Sequence, residues 1–275
     1  MFKNVKYVAL LGMAAALTLG QVSGASADDD KKGIKAPPGH PLSKIISGFE
    51  YRTKETQALQ NDEIENPGML WAERGAQLWS TAECAAGKSC ASCHKDAATT
   101  MKSVAATYPK WNAKLGKPVN VEQRINMCRS NEMKAEAWKF NSDQLTAMTI
   151  YVKHQGISEP VHVKTDGEMK PWFEKGKALF YQRNGQLDMS CASCHEKHYG
   201  QYLRSDYVSQ GQINGFPTYR LAAQNMVPVH QRFYGCMFDI RAEPYAPLSD
   251  EFLALELYIA YRGTGLPVET PAVRN

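Results

Sequence analysis

Past its first two dozen residues the chain has no apolar run long enough to cross a bilayer, which takes about 20 residues. It also lacks a marked excess of either charge: 32 Lys and Arg against 28 Asp and Glu leave a formal +4. Two of those cations, Lys3 and Lys6, stand in a leader-like stretch without acids, and without them the balance falls to about +2. Membrane insertion is therefore not expected, and a nearly neutral chain gives no reason to expect nucleic acid as a partner.

The N-terminal run itself is informative. M-F-K-N-V-K is basic, V-A-L-L-G-M-A-A-A-L-T-L is apolar, and Ala25-Ser26-Ala27 is a small-residue exit. That order reads as a secretory signal peptide, 1–27. In a bacterium it directs the mature chain to the periplasm, an oxidising compartment.

Seven cysteines are present, and four fall into two copies of one motif. Cys90-Ala-Ser-Cys93-His94 and Cys191-Ala-Ser-Cys194-His195 both read C-x-x-C-H, the pattern of covalent c-type haem attachment. Two thiols at this spacing add across the two vinyl groups of one porphyrin, and the adjoining histidine is held beneath the iron as proximal ligand. Two copies in an exported chain make it a dihaem cytochrome c with two covalently bound haem c groups.

The rest of the chain repeats around those motifs, so internal duplication decides the architecture. At an offset of 101, Trp71-Ala-Glu-Arg-Gly-Ala-Gln-Leu-Trp79 lies over Trp172-Phe-Glu-Lys-Gly-Lys-Ala-Leu-Phe180, and Cys90 lies over Cys191. The apolar spacing of the segment predicts a helix, with a glycine where a second helix can approach closely. Beyond the motifs the offset becomes 108: Tyr108-Pro109 matches Phe216-Pro217, and Q-R-x-x-x-C ending at Cys128 matches the same string ending at Cys236. Ser142-Asp143 and Ser249-Asp250 each predict an N-cap opening a final helix.

The expected fold is all-α: two cytochrome c-like domains related by duplication, with an irregular N-terminal arm. The boundaries read as arm 28–68, domain 1 at 69–156, linker 157–170, and domain 2 at 171–275, which carries the active site. The arm is Pro/Gly-rich at first, and its later part, from S-G-F-E-Y-R onward, is expected to wrap the first domain.

A c-type haem in an electron carrier usually takes Met or a second His as distal ligand. Met101, Met127 and Met133 lie in the right region of the first half, Met226 and Met237 in that of the second, but none is placed opposite another. Cys128 and Cys236 are. The simplest reading makes each the distal thiolate ligand of its own half, giving iron the pairs His94/Cys128 and His195/Cys236. A disulfide between the two cysteines, or a pair of buried thiols, is the competing reading. A thiolate beside a cation is also a nucleophile. Arg232, four residues before Cys236, supplies such a cation and can fork onto an oxyanion or a haem propionate. Arg124 holds the matching place in the first half, where the propionate role is favoured. His230 is expected to line the cleft of Arg232, and His198 to be solvated. Cys84 has no counterpart and stays undecided between a free thiol and a bridge to another chain.

The C-terminal run R-F-Y-G-C-M-F-D-I-R-A-E-P-Y-A-P-L-S-D-E-F-L-A-L-E-L-Y-I-A-Y-R-G-T-G-L-P-V-E-T-P resembles the SoxA family, as do S-G-F-E-Y-R, E-N-P-G-M-L-W and both haem motifs. These are dihaem cytochrome subunits of the thiosulfate-oxidising SoxAX complex, an L-cysteine S-thiosulfotransferase. The resemblance implies oxidative coupling of thiosulfate to a cysteine of a SoxYZ-like carrier protein, with electrons passed to cytochrome c. It implies a heterodimer with a SoxX-like monohaem cytochrome c. It further implies Cys236 as the active-site cysteine, found as a persulfide in the family, Arg232 as the substrate-binding arginine, and Cys128 as distal ligand of the first haem. Two other readings remain on the residues alone: a purely electron-transferring dihaem cytochrome, and a dihaem peroxidase, which the matched cysteines disfavour.

Overall fold

The computed structural model describes residues 30–83 and 86–275. The expected signal peptide and Cys84 lie outside the described residues. The arm carries more order than its composition suggests. It pairs β1 (Ile34–Lys35) with β2 (Lys44–Ile45), makes a 3-10 turn at Gly48–Tyr51, and forms α1 (Lys54–Asn61), capped by Thr53. Its polar anchors are in the second half, not the first. Ile46 N–H donates to Gln210 Oε1 at 2.8 Å, Ser47 Oγ to Glu269 Oε1 at 2.6 Å, and buried Arg52 pairs with Asp206. The second half offers the amide and carboxylates that complement these groups, so the arm docks there.

The first half runs α2 (Met69–Ser80), α3 (Cys90–His94), α4 (Ala97–Thr100) and α5 (Val104–Thr107), then the hairpin β3 (Lys110–Asn112)/β4 (Lys117–Val119). Helix α6 (Val121–Cys128) passes into a single π-turn, Arg129–Met133, and α7 (Asp143–His154) closes the half. The second half repeats the plan. It has α8 (Lys170–Tyr181), α9 (Cys191–His195), the hairpins β5 (Tyr202–Leu203)/β6 (Asp206–Tyr207) and β7 (Thr218–Arg220)/β8 (Asn225–Val227), then α10 (Val229–Asp239) and α11 (Asp250–Arg262). A final strand, β9 (Ala272–Arg274), lies parallel to β7.

The helices follow from local chemistry. Ser142 and Ser249 accept hydrogen bonds from Leu145 and Phe252 N–H, satisfying first-turn donors of α7 and α11. Helix α2 packs on α7 and α8 on α11, and the matched glycines allow it. A β-carbon at Gly75 would lie 2.4 Å from Ala147 O, and one at Gly176 only 1.9 Å from Ala254 O. Apolar clusters then form on each motif: Trp79, Met101, Val121 and Met148 beside Cys90, and Phe180, Val229, Phe233 and Phe252 beside Cys191.

The architecture departs from the all-α expectation. Among the described residues it carries four small β units, one of them three-stranded in the order β8-β7-β9. Short hairpins answer the backbone hydrogen-bonding demand of the segments between motif helix and distal helix. The linker is ordered too. Val161 N–H donates to Leu266 O and Val268 N–H to Glu159 O, both at 2.9 Å, while His162 N–H reaches Ala106 O at 2.8 Å. No helix of the described residues is long and apolar enough to cross a membrane.

Candidate haem and thiol sites

Both motif helices are built by the same device. Ser89 accepts from Ser92 N–H and Ser92 Oγ accepts from Ser89 N–H; Ser190 and Ser193 repeat the exchange. This reciprocal cap satisfies donors at both ends of the first turn and fixes a helix of five residues. Two cysteines and a histidine are thereby held on one short, rigid element in each half.

In the first half Cys90, Cys93 and His94 line a cavity of about 220 Å³. Cys128 and Arg124 from α6 line the same cavity, and its walls are mostly apolar, from Trp79, Val104, Val121, Ile125 and Val152. Met101, Met133 and Met148 also reach it. Burial raises the Cys128 thiol, partly offset by the Arg124 guanidinium. Burial and the neighbouring Cys128 push Cys90 up to about 11, and burial together with Arg124 lowers His94.

In the second half the proximal ring is held from behind. His195 Nδ1 lies 2.8 Å from Ser209 O, which places the proton on Nδ1 and leaves Nε2 free as a donor to metal. Burial, with lesser contributions from Arg232 and Arg262, drives His195 down to about 4, so the ring is neutral at pH 7 as a ligand must be. Burial and then Cys236 push Cys191 up to about 12. Cys194 is raised by burial and by Cys236. Cys236 is thus near enough to influence both thiols of the motif. Arg232 precedes it by one helical turn on α10, so the two share a face.

Sequence reasoning missed two residues of this site. Arg220, at the end of β7, is lowered to about 10 by burial and then by Arg232, while Asp206 and, less strongly, Cys236 pull it back upward. Arg220 is therefore within electrostatic reach of both Arg232 and Cys236. In the first half the position matching Arg220 is Asn112, so that unmatched pair was the available signal. Arg262 is fully buried, donates to Glu196 Oε2 at 2.8 Å and stacks on Phe180 at 4.3 Å. It braces the end of the motif helix, where the first half has Gln155 in its place.

Other expectations separate. Cys128 and Cys236 are both free thiols, not a disulfide. Met226 is buried against Ala72 and Ile150 of the first half; Met237 packs beside the second core cluster. His198 is exposed. His230 does not line the Arg232 cleft: it is buried, with Nε2 2.9 Å from Glu256 Oε2, because its ring packs between Phe233 and Phe252.

These residues fit haem c. Among the described residues no cluster of three or more His, Cys, Asp or Glu converges to hold a lone metal ion. The first cavity instead offers one imidazole and, besides the motif thiols of Cys90 and Cys93, the single thiol of Cys128 in a largely apolar enclosure. That donor set suits an iron whose remaining four positions are filled by a macrocycle.

The comparisons with known proteins agree with the duplication. A family model described as "SoxA/TsdA, cytochrome c domain" matches twice, at residues 74–161 and 175–268. The L-cysteine S-thiosulfotransferase subunit SoxA of Pseudaminobacter salicylatoxidans is 54% identical, over 87% of this chain and 84% of that protein. The corresponding subunit of Rhodovulum sulfidophilum is 47% identical, over 85% and 82%. The crystal structure of SoxXA from P. pantotrophus superposes with a TM-score of 0.83 at 42% identity, covering 86% of this chain and 89% of that one. The chain belongs to the SoxA/TsdA cytochrome c family.

Proposed function

We propose that this chain is a dihaem c-type cytochrome that couples thiosulfate oxidatively to a cysteine of a carrier protein, as an L-cysteine S-thiosulfotransferase subunit in the periplasm. The relatives named above carry that activity in their names. The observation that carries the reading is the asymmetry between the halves. Cys236 has two arginines within electrostatic reach, Arg232 on its own helix and Arg220 on β7, where the matching positions for Cys128 are Arg124 and Asn112.

The two domains, 69–156 and 171–275, each hold one haem c, through Cys90 and Cys93 in the first and Cys191 and Cys194 in the second. His94 and Cys128 would hold the iron in the first half, and His195 and Cys236 in the second. Haem c, when bound, supplies the one-electron acceptors.

Arg232 and Arg220 bind the sulfonate oxygens of thiosulfate by charge-assisted hydrogen bonds and bring its outer sulfur to Cys236. The Cys236 thiolate and thiosulfate then form a sulfur–sulfur bond with loss of two electrons to an acceptor cytochrome c. A thiolate of the carrier attacks the same outer sulfur, takes the S–SO₃⁻ group as a new disulfide-type bond, and returns Cys236 as thiolate. The surface around Cys236 suits a visiting protein: Phe238 is 68% exposed, and a β-carbon at Gly235 would meet nothing within 4 Å. A SoxX-like monohaem cytochrome and a SoxYZ-like carrier are the partners this reading requires.

The test is coupling turnover in Cys236→Ser, with haem content measured in the same preparation. Loss of coupling by two or more orders of magnitude with both haems attached is the expected result. Turnover at the wild-type rate would instead make the chain a plain electron carrier.

A further inference from the structure

Between the halves lies a group of ionisable side chains that sulfur coupling does not use. Glu122 on α6 and Glu256 on α11 are each 5% exposed, and His230 on α10 is 1% exposed. Lys153 on α7 faces both carboxylates: burial lowers it and Glu122 and Glu256 draw it back up. Asn120 Nδ2 donates to Glu256 Oε2 at 3.1 Å. On the other side His230 Nε2 lies 2.9 Å from the same oxygen. His230 Nδ1 accepts from Leu248 N–H at 3.0 Å, so its single proton is on Nε2 and the ring is neutral.

The duplication creates this group. At the offset of 108 Glu122 and His230 are equivalent positions, so the two halves meet there as acid and base. Each member also follows directly on a residue that faces a haem site. Val121 and Val152 line the first cavity, while Val229 and Leu255 belong to the apolar cluster packed on Cys191. Tyr108 lines both the first cavity and a small neighbouring one of about 20 Å³, which Lys153, Glu256 and Asn214 also line. That second cavity has room for one water, and Asn214 Oδ1 is buried without a protein partner.

The charge count decides the protonation state. Two carboxylates and one ammonium share a volume withdrawn from water, and the neutral imidazole cannot balance the second negative charge. Ionising both acids would leave an uncompensated buried charge, so the pair binds a proton more tightly than a solvated carboxylate does. Burial and the neighbouring Glu256 raise Glu122 in the same sense, against the Lys153 ammonium. A proton held between two redox centres responds to their charge. Adding an electron nearby strengthens its binding, and removing one weakens it.

We propose that the Glu122–Glu256 pair is a proton-binding site that takes up one proton when the flanking haem centres are reduced and releases it on reoxidation. This rests on the two-haem reading above. In each cycle one electron enters a neighbouring centre, one carboxylate gains one proton from solvent to become a carboxylic acid, and both leave again when the acceptor cytochrome is reduced. The site offsets charge as substrate delivers electrons in pairs.

The test is redox-difference infrared spectroscopy on the holoprotein, preceded by a haem count from the pyridine haemochrome. With two haems per chain, reduction is expected to produce a carboxylic-acid carbonyl band that shifts in D₂O and is absent in Glu122→Gln and Glu256→Gln. Midpoint potentials of the wild type are expected to fall with pH more steeply than those of either variant. The ceiling is about 59 mV per pH unit, the tenfold step for one proton per electron. Two haems with no such band in the wild type, or equal slopes in all three proteins, would overturn the proton site. One haem per chain would overturn the two-haem reading instead.

Discussion

The imidazole of His195 rests on the backbone of Gly211. A β-carbon at Gly211 would lie 2.8 Å from the ring Cγ and 3.0 Å from Nδ1, and the residue has φ +80°. Two residues earlier, Ser209 O binds Nδ1 at 2.8 Å. Residues 209–211 are therefore a template that sets the ring's tautomer and its tilt.

Gly211→Ala tests that template. The substitution adds left-handed strain of about 1 kcal/mol or more and a clash with the ring. The ligand-field spectrum of one haem is expected to change while the other stays as in wild type, with stability lower by about 1–3 kcal/mol. Two unchanged haem spectra and an unchanged urea midpoint would show that the ring does not depend on this contact.

The helix pairs give a second prediction. Gly176→Ala forces a β-carbon onto Ala254 O and Gly75→Ala onto Ala147 O, with the tighter approach at Gly176. Overpacking of this kind costs roughly 1–3 kcal/mol or more because backbone must move. Urea unfolding is expected to rank the proteins wild type, then Gly75→Ala, then Gly176→Ala in falling stability. The opposite order of the two variants would mean the α8–α11 pair is the looser one.

Much of this was legible because it is local or repeated. The two C-x-x-C-H motifs, the Ser142 and Ser249 caps, and the glycines at matched helix crossings are short-range chemistry read directly from residue order; the Ser-x-x-Ser caps of the motif helices are equally local but were passed over. What escaped was long-range. The arm's hydrogen bond from Ile46 to Gln210 joins residues 164 apart, and no pattern within the arm names its partner. Arg220 and Arg262 were hidden because matching the halves draws the eye to what agrees, while these two differ from Asn112 and Gln155. Met226 enters a core shared with Ala72 and Ile150 of the other half, a partnership that no pattern within its own half announces. The short strands were missed because two- and three-residue pairings carry no hydrophobic period.

Arg220 is expected to bind substrate alongside Arg232. Losing one charge-assisted hydrogen bond costs about 1.5–3 kcal/mol, so Arg220→Ala should raise KM for thiosulfate roughly 10- to 100-fold, with kcat much less affected and Arg220→Lys in between. Steady-state kinetics at fixed ionic strength checks this. A wild-type KM in Arg220→Ala would remove the residue from the anion site.

Stability should depend on pH through Glu122. Burial and Glu256 raise its folded-state pKa above the ordinary glutamate value of 4.5, so the folded state binds the proton more tightly than the unfolded one. Its contribution is complete below about 4.5 and is lost as pH rises through the raised folded value. Glu122→Gln removes that decline, and its urea midpoint should change less between pH 5 and 8 than that of the wild type. Parallel pH profiles would contradict the raised value.

The most direct measurement is peptide mass spectrometry of Cys236 and Cys128, without reductant, before and after exposure to thiosulfate and an oxidised acceptor cytochrome. Added sulfur or an S–SO₃ group on Cys236, with Cys128 unmodified, is the predicted result. An unmodified Cys236 thiol under turnover conditions would contradict its role as the sulfur-accepting residue.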